Sequence, residues 1–157
     1  MTMNLNELIR GGTFCVSKAG LAIGGTASKA KIAAPNGAGV DFAINGLGYH
    51  LADTDDCILF TGLTQTDLYT CLYLVQLDSS LAVTVVQGTE VLTANLTAGT
   101  AVLNWPTPTA DKCPIGAIKL VMSGGAFTGG TTELSAGTVT DTYYDFIGGV
   151  PVAPLTS

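Results

Sequence analysis

His50 is the single histidine of the sequence, and Asp53, Asp55 and Asp56 follow it closely. A hydrolytic triad needs an imidazole base beside a nucleophile, with an acid orienting the ring. No serine here stands in a G-x-S-x-G elbow, so His50 reads as a loop residue with one hydrogen bond. The run Asp53-Thr54-Asp55-Asp56 could offer oxygen ligands to a hard cation. It lacks the glycine and distal glutamate of an EF-hand loop, and acidic turn residues that hydrogen-bond their own backbone account for it equally well. Cys15, Cys57, Cys71 and Cys113 are scattered without any C-x-x-C pair. That spacing argues against a zinc or redox site and predicts four buried, reduced thiols. Gly37-Ala38-Gly39 is not placed between a strand and a helix, and no G-x-x-x-x-G-K-[ST] loop occurs. The expectation is therefore a chain with no catalytic residues, no cofactor and no metal, and not an enzyme.

The aromatic end, Tyr143, Tyr144 and Phe146, could stack on sugars or bases. No basic groove accompanies it, so a core or subunit-contact role is expected. The six basic residues, Arg10, Lys18, Lys29, Lys31, Lys112 and Lys119, form no run, and twelve acidic residues leave a net charge of −6. Phosphate binding needs clustered cations, so nucleic acid is not an expected partner. The apolar runs fall well short of the ~20 residues of a membrane span. Residues 1–10 do not read as an export signal, which places synthesis and folding in a cytoplasm.

Positioning these residues falls to a chain of 157 residues, 47% apolar, 11% charged and with 20 glycines. That length can bury roughly 70% of its unfolded surface in one domain without staples. So few charges leave little to solvate a free surface, and predict that part of it is covered in contacts with other subunits.

The hydrophobic period is that of strands from Thr13 onward. Phe14-Cys15-Val16 and Leu21-Ala22-Ile23 flank a turn, Ser28 to Ala33 alternates, and Pro35-Asn36-Gly37 turns the chain. Val40 to Ile44 leads into Asn45-Gly46, a pair suited to the positive φ of a tight hairpin. Leu68 to Leu77 is apolar on both faces, as a central strand covered on both sides should be. Further strands are expected at Leu81–Val86, Thr100–Trp105 and Lys112–Met122, and the end, Asp141 to Ile147, is aromatic. Pro106 and Pro108 make Trp105 to Thr109 an extended connector, because proline lacks the ladder donor. Ahead of the strands, Asn4 can cap one or two helical turns that place Leu5, Leu8 and Ile9 on one face, stopped by Gly11-Gly12. So short a helix must dock to persist, which makes those three residues candidates for partner binding, with Tyr143, Tyr144 and Phe146.

The fold class predicted is all-β: a single β-sandwich or barrel-like domain over residues 13–149, with an N-terminal arm or short helix at 1–12 and an extended tail at 150–157.

Two stretches carry a family resemblance. One runs from Gly11-Gly12-Thr13-Phe14 through Val40-Asp41-Phe42-Ala43-Ile44-Asn45-Gly46 to Ala52-Asp53-Thr54-Asp55. The other is Lys112-Cys113-Pro114-Ile115-Gly116-Ala117-Ile118-Lys119, followed by Phe127, Gly130-Thr131-Thr132 and Thr140-Asp141-Thr142-Tyr143-Tyr144-Asp145. Together, over about half the chain, they resemble small virion proteins of tailed bacteriophages, above all head decoration (cement) proteins and fibre-type modules. The resemblance implies a β-rich homo-oligomer, with a trimer the expected state, attached to the major capsid protein or to other virion subunits. It transfers no active site. The alternatives are a host-surface glycan-binding module of a head or tail fibre, and a tail or neck component.

Overall fold

The computed structural model describes residues 12–35 and 37–156. The proposed helix with Leu5, Leu8 and Ile9 lies outside them. In chain order the strands are β1 (Phe14–Cys15), β2 (Leu21–Ile23), β3 (Ala30–Ile32), β4 (Val40–Ile44), β5 (Leu47–Leu51), β6 (Thr54–Ile58), β7 (Thr64–Gln65), β8 (Tyr69–Leu77), β9 (Val83–Gln87) and β10 (Val91–Leu92). A helix, α1 (Thr93–Thr97), comes next, then β11 (Cys113–Met122), β12 (Phe127–Thr128) and β13 (Val139–Asp145). The fold is all-β, 44% strand, and none of its antiparallel sheets closes into a barrel.

The organising element is a five-stranded sheet in the order β10-β8-β11-β13, with β9 also paired to β8. β8 is long enough to hold two neighbours on one side: Tyr69 and Thr70 face β10, and Tyr73 to Leu77 face β9. Every β8 residue after Tyr69 is buried, as its two-faced apolar sequence predicts. Alternation sends Cys71, Tyr73, Val75 and Leu77 into a large core, and Leu72 and Leu74 into a smaller one on the opposite face.

Two three-stranded sheets, β1-β4-β5 and β2-β3-β6, cover the large core. β1, β2 and β4 lie against β11, and β2 also reaches β13. Asn45 and Gly46, at φ 50° and 80°, close the β4–β5 hairpin between Ile44 and Leu47, the two-residue turn that their side chains favour. Phe60 meets Tyr73 and Phe127 edge-on in the centre of this core, and the latter two are tilted on each other, with ring centroids 5.5–6.0 Å apart. Two buried glutamines are fully paired, Gln65 beside this core and Gln76 on the opposite face of the sheet. Gln65 donates to the carbonyls of Tyr69 (2.8 Å) and Leu120 (3.0 Å) and accepts from the Tyr73 hydroxyl (3.0 Å). Gln76 donates to Thr109 Oγ1 at 2.7 Å and accepts from the Thr109 amide at 3.0 Å. Such pairing removes the penalty that a buried amide otherwise carries.

The smaller core is covered by irregular chain. Leu72, Leu74 and Ala117 of the sheet meet Leu96, Leu103 and Phe146, with Trp105, Tyr144, Val150 and Leu155 packed around them. Here the structure departs from the sequence reading. Thr100–Trp105 is not a strand: Leu103 makes only an isolated bridge to Leu155. The side of β8 is already occupied by β9 and β10, so this segment crosses the face of the sheet instead of extending it. The five-residue α1, which buries Leu96, was not foreseen in a stretch rich in threonine, asparagine and glycine. The tail does not simply trail away. Leu155 and Leu103 exchange amide–carbonyl bonds at 2.8 and 3.0 Å, and the Trp105 indole donates to the Ala153 carbonyl at 2.8 Å. The aromatic end forms the last strand, β13, as far as Asp145, with Phe146 just beyond it.

Candidate subunit-contact surface

His50 lies in strand β5, not in a loop, directly across from Asp41 of β4. Its Nδ1 is 2.8 Å from Asp41 Oδ1, with the two side chains 52% and 58% exposed. Ser17 is close by, but its hydroxyl accepts from the Asp41 backbone amide at 2.8 Å. The imidazole therefore has an orienting acid, and the nearby hydroxyl is engaged by main chain. An activated nucleophile needs the hydroxyl on the base, and none of the hydrogen bonds formed joins Ser17 to His50.

The aspartate run is not a ligand cage either. Asp53 accepts from the Ala34 amide at 2.8 Å and Asp55 from the Gly25 amide at 3.0 Å. Asp56 accepts from both the amide and the hydroxyl of Thr26, and these bonds hold its carboxyl below its usual range. The three carboxylates staple β6 and its approach to the loops on either side of β3. Among the described residues no group of three or more His, Cys, Asp and Glu is arranged to hold a metal ion.

Of the four thiols, Cys15, Cys71 and Cys113 are buried, and Cys57, contrary to expectation, is half-buried. Burial pushes Cys15 up to about 11 and Cys71 and Cys113 up to about 12. Protonated thiols of this kind are poor nucleophiles.

The aromatic end divides between the two faces of β13. Phe146, 4% exposed, and Tyr144 stack edge-on against Trp105 in the smaller core. Tyr143 points the other way, packs on the large core and donates to Asp141 Oδ2 at 2.6 Å. The Phe146 ring is consumed within the chain, and both tyrosine rings are half-covered.

The surface best suited to a protein partner was not visible beforehand. Leu68, Leu92, Ala94, Val121 and Met122 line an apolar cleft of about 400 Å³ where β8 begins and β11 ends. Leu68 is 57% exposed and adopts a left-handed φ of 65°. A leucine there costs on the order of 1–3 kcal/mol and persists only when its surroundings impose it. Asp67 imposes it, accepting from the Leu68 and Gly124 amides, each at 2.8 Å. Bonds from the Gly125, Gly124 and Leu68 amides hold the Asp67 carboxyl below its usual range. The signal in the sequence was an aspartate before an apolar strand and a distant Gly124-Gly125, which only the fold brings together. Among the described residues no helix is long and apolar enough to cross a membrane. No family model, curated protein or solved structure matches the chain.

Proposed function

We propose that this chain is a structural subunit of a virion, a decoration protein that binds the outer surface of a capsid and adds contact area across neighbouring capsid subunits. The observation that carries this reading is the cleft around Leu68. A strained, half-exposed leucine is held by Asp67 over an apolar floor from Leu92 of β10, Ala94 of α1 and the end of β11. Exposed apolar surface on a rigid sheet marks a site for another protein. The protein's action is then mechanical. A subunit that binds only the assembled shell stabilises it by mass action, and many copies on a lattice make a modest individual affinity sufficient. The net charge of −6 favours a seat outside the shell, away from the genome. Self-association as a trimer belongs to the same proposal.

Electron microscopy of purified virions labelled with an antibody to this chain tests the reading. Label over the head surface is expected; label confined to the tail or neck contradicts it. Trp105 gives the glycan-binding alternative its one specific support. It is half-buried beside two shallow clefts, of about 240 and 400 Å³, that share Asn104 and Thr107 in their walls. Glycan-array binding that is lost in Trp105→Ala would favour that alternative.

A further inference from the structure

The outer edge of β13 is an unpaired ladder. Backbone groups on a strand alternate in direction. The Phe146 amide donates to the Ile115 carbonyl at 3.0 Å, and the Thr138 carbonyl accepts from Ser123 at 2.9 Å, so the even-numbered residues face β11. Asp141, Tyr143 and Asp145 therefore turn their amides and carbonyls outward, and among the described residues these groups pair with nothing. β2 approaches only through the Leu21 amide, which donates to the Asp145 side chain at 3.0 Å, and it pairs with β3 instead.

Natural sheet edges are commonly blunted by lysine, proline, bulges or brevity. β13 has seven residues, no lysine or proline, and no break in its register with β11. Its one protective feature is charge. Asp141 and Asp145 project from the same face as Tyr143, while Lys119 lies across from Thr142 on the other face. Antiparallel self-pairing brings like charges together: with Tyr143 on the axis, Asp141 meets Asp145; with either aspartate on the axis, that aspartate meets its own copy; with Thr142 on the axis, Asp141 faces Tyr143 and the carboxylates become diagonal neighbours. Like charges directly opposite destabilise a pair, and opposite charges stabilise it.

We propose that the β13 edge accepts an extended segment bearing lysine or arginine from another protein, as an added antiparallel strand. Main-chain bonds to Asp141, Tyr143 and Asp145 would supply affinity, and the two carboxylates would select a basic strand over a second copy of this chain. This goes beyond the virion reading and holds whether or not the protein decorates a shell.

The test uses the full chain and a fluorescein-labelled peptide alternating lysine and valine, about as long as the seven-residue β13, followed by anisotropy. Saturable binding is expected, weakening as salt rises from ~50 to ~500 mM. A glutamate–valine peptide should not bind. N-methylation of alternate amides on the pairing side of the lysine peptide keeps its charge and should abolish binding. Asp141→Lys should weaken binding about tenfold, a change of one decade in Kd. Asp141→Asn, which can still accept from Tyr143, should weaken it less. Should Asp141→Lys fail to fold, the N-methylated peptide still decides. Equal binding of the methylated and unmethylated peptides would reduce the interaction to charge alone and overturn the proposal. So would the absence of binding, or dimerisation through β13 seen by sedimentation and abolished by Asp141→Pro.

Discussion

The two faces of the β8–β11 sheet are built by different means. The large core is closed by strands, with Phe60 edge-on to both Tyr73 and Phe127 at its centre. The smaller is closed by a five-residue helix, a proline-flanked connector and the chain's tail, held to the sheet by Trp105, Phe146 and Leu155. Strand cover fixes many backbone dihedrals at once and cannot yield locally, whereas a loop cover can settle into space left beneath it. The two faces should therefore respond differently to the same insult.

The largest effect is expected in the strand-covered core. Phe60→Ala should cost about 3–5 kcal/mol, measured as a loss of urea midpoint at constant slope. Leu74→Ala, equally buried beneath the loop cover, should fall near the lower end of the ~2–5 kcal/mol range for leucine. Equal losses would show that the loop cover is as unyielding as the strands.

Gly116→Ala should come next. An added Cβ would lie 2.4 Å from the Tyr144 carbonyl oxygen and 2.5 Å from Leu21 Cδ1. One neighbour is backbone, so the strain cannot be relieved by a rotamer change, and a cost of about 1–3 kcal/mol is expected.

Trp105 is the sole tryptophan and lies on the loop-covered side. Truncation after Gly149 removes the Leu103–Leu155 bonds and the acceptor of the indole. It should red-shift the tryptophan emission while costing only a few kcal/mol, at about 1 kcal/mol per net hydrogen bond plus the lost apolar contact. Global unfolding on truncation would mean that the tail closes the whole fold and not one face of it.

The smallest effects are those of acid pH. Asp56, Asp67 and Asp78 have carboxyls held below their usual range, by Thr26, by the Gly125 amide and by Ser80 respectively. A carboxyl depressed in the folded state contributes stability above its unfolded value, here 3.8, and that stability is lost as pH falls through the folded value. The urea midpoint should therefore be lower at pH 3 than at pH 7. At the alkaline end the sign reverses. Cys71 and Cys113, raised from 9.0 to about 12, contribute stability that is full below pH 9 and fades as pH rises toward 12. A midpoint unchanged between pH 8 and pH 11 would contradict this.

The strand-covered half was legible where local signals and long-range partners agree, but the sequence suggests a loop around His50 and a turn at Asp53 to Asp56 where β5 and β6 stand. Asn45-Gly46 dictated its hairpin, and the two-faced run from Leu68 to Leu77 placed β8 at the centre, though Leu68 itself stands just outside the strand with a positive φ. The loop-covered half was not legible. Leu103 and Trp105 carry the apolar spacing of a strand, yet both sides of β8, the strand they cross, are already paired, and nothing local encodes that. His50 and Asp41 become neighbours only through the register of a hairpin. The Leu68 cleft joins Leu68, just ahead of β8, to residues of β10, α1 and β11, so no local stretch of sequence encodes it. The burial of Phe146 likewise depends on Trp105 reaching it from a distant connector.

The proposed role turns on the Leu68 cleft gripping a shell. It is tested most directly by heating particles that lack the protein, with and without purified protein added back, and recording the temperature at which DNA becomes accessible to dye. Depleted particles should release DNA at a lower temperature. Wild-type protein should restore the original temperature, and Leu68→Asp, with its melting temperature checked in isolation, should not. Identical release temperatures for depleted and restored particles would contradict the account.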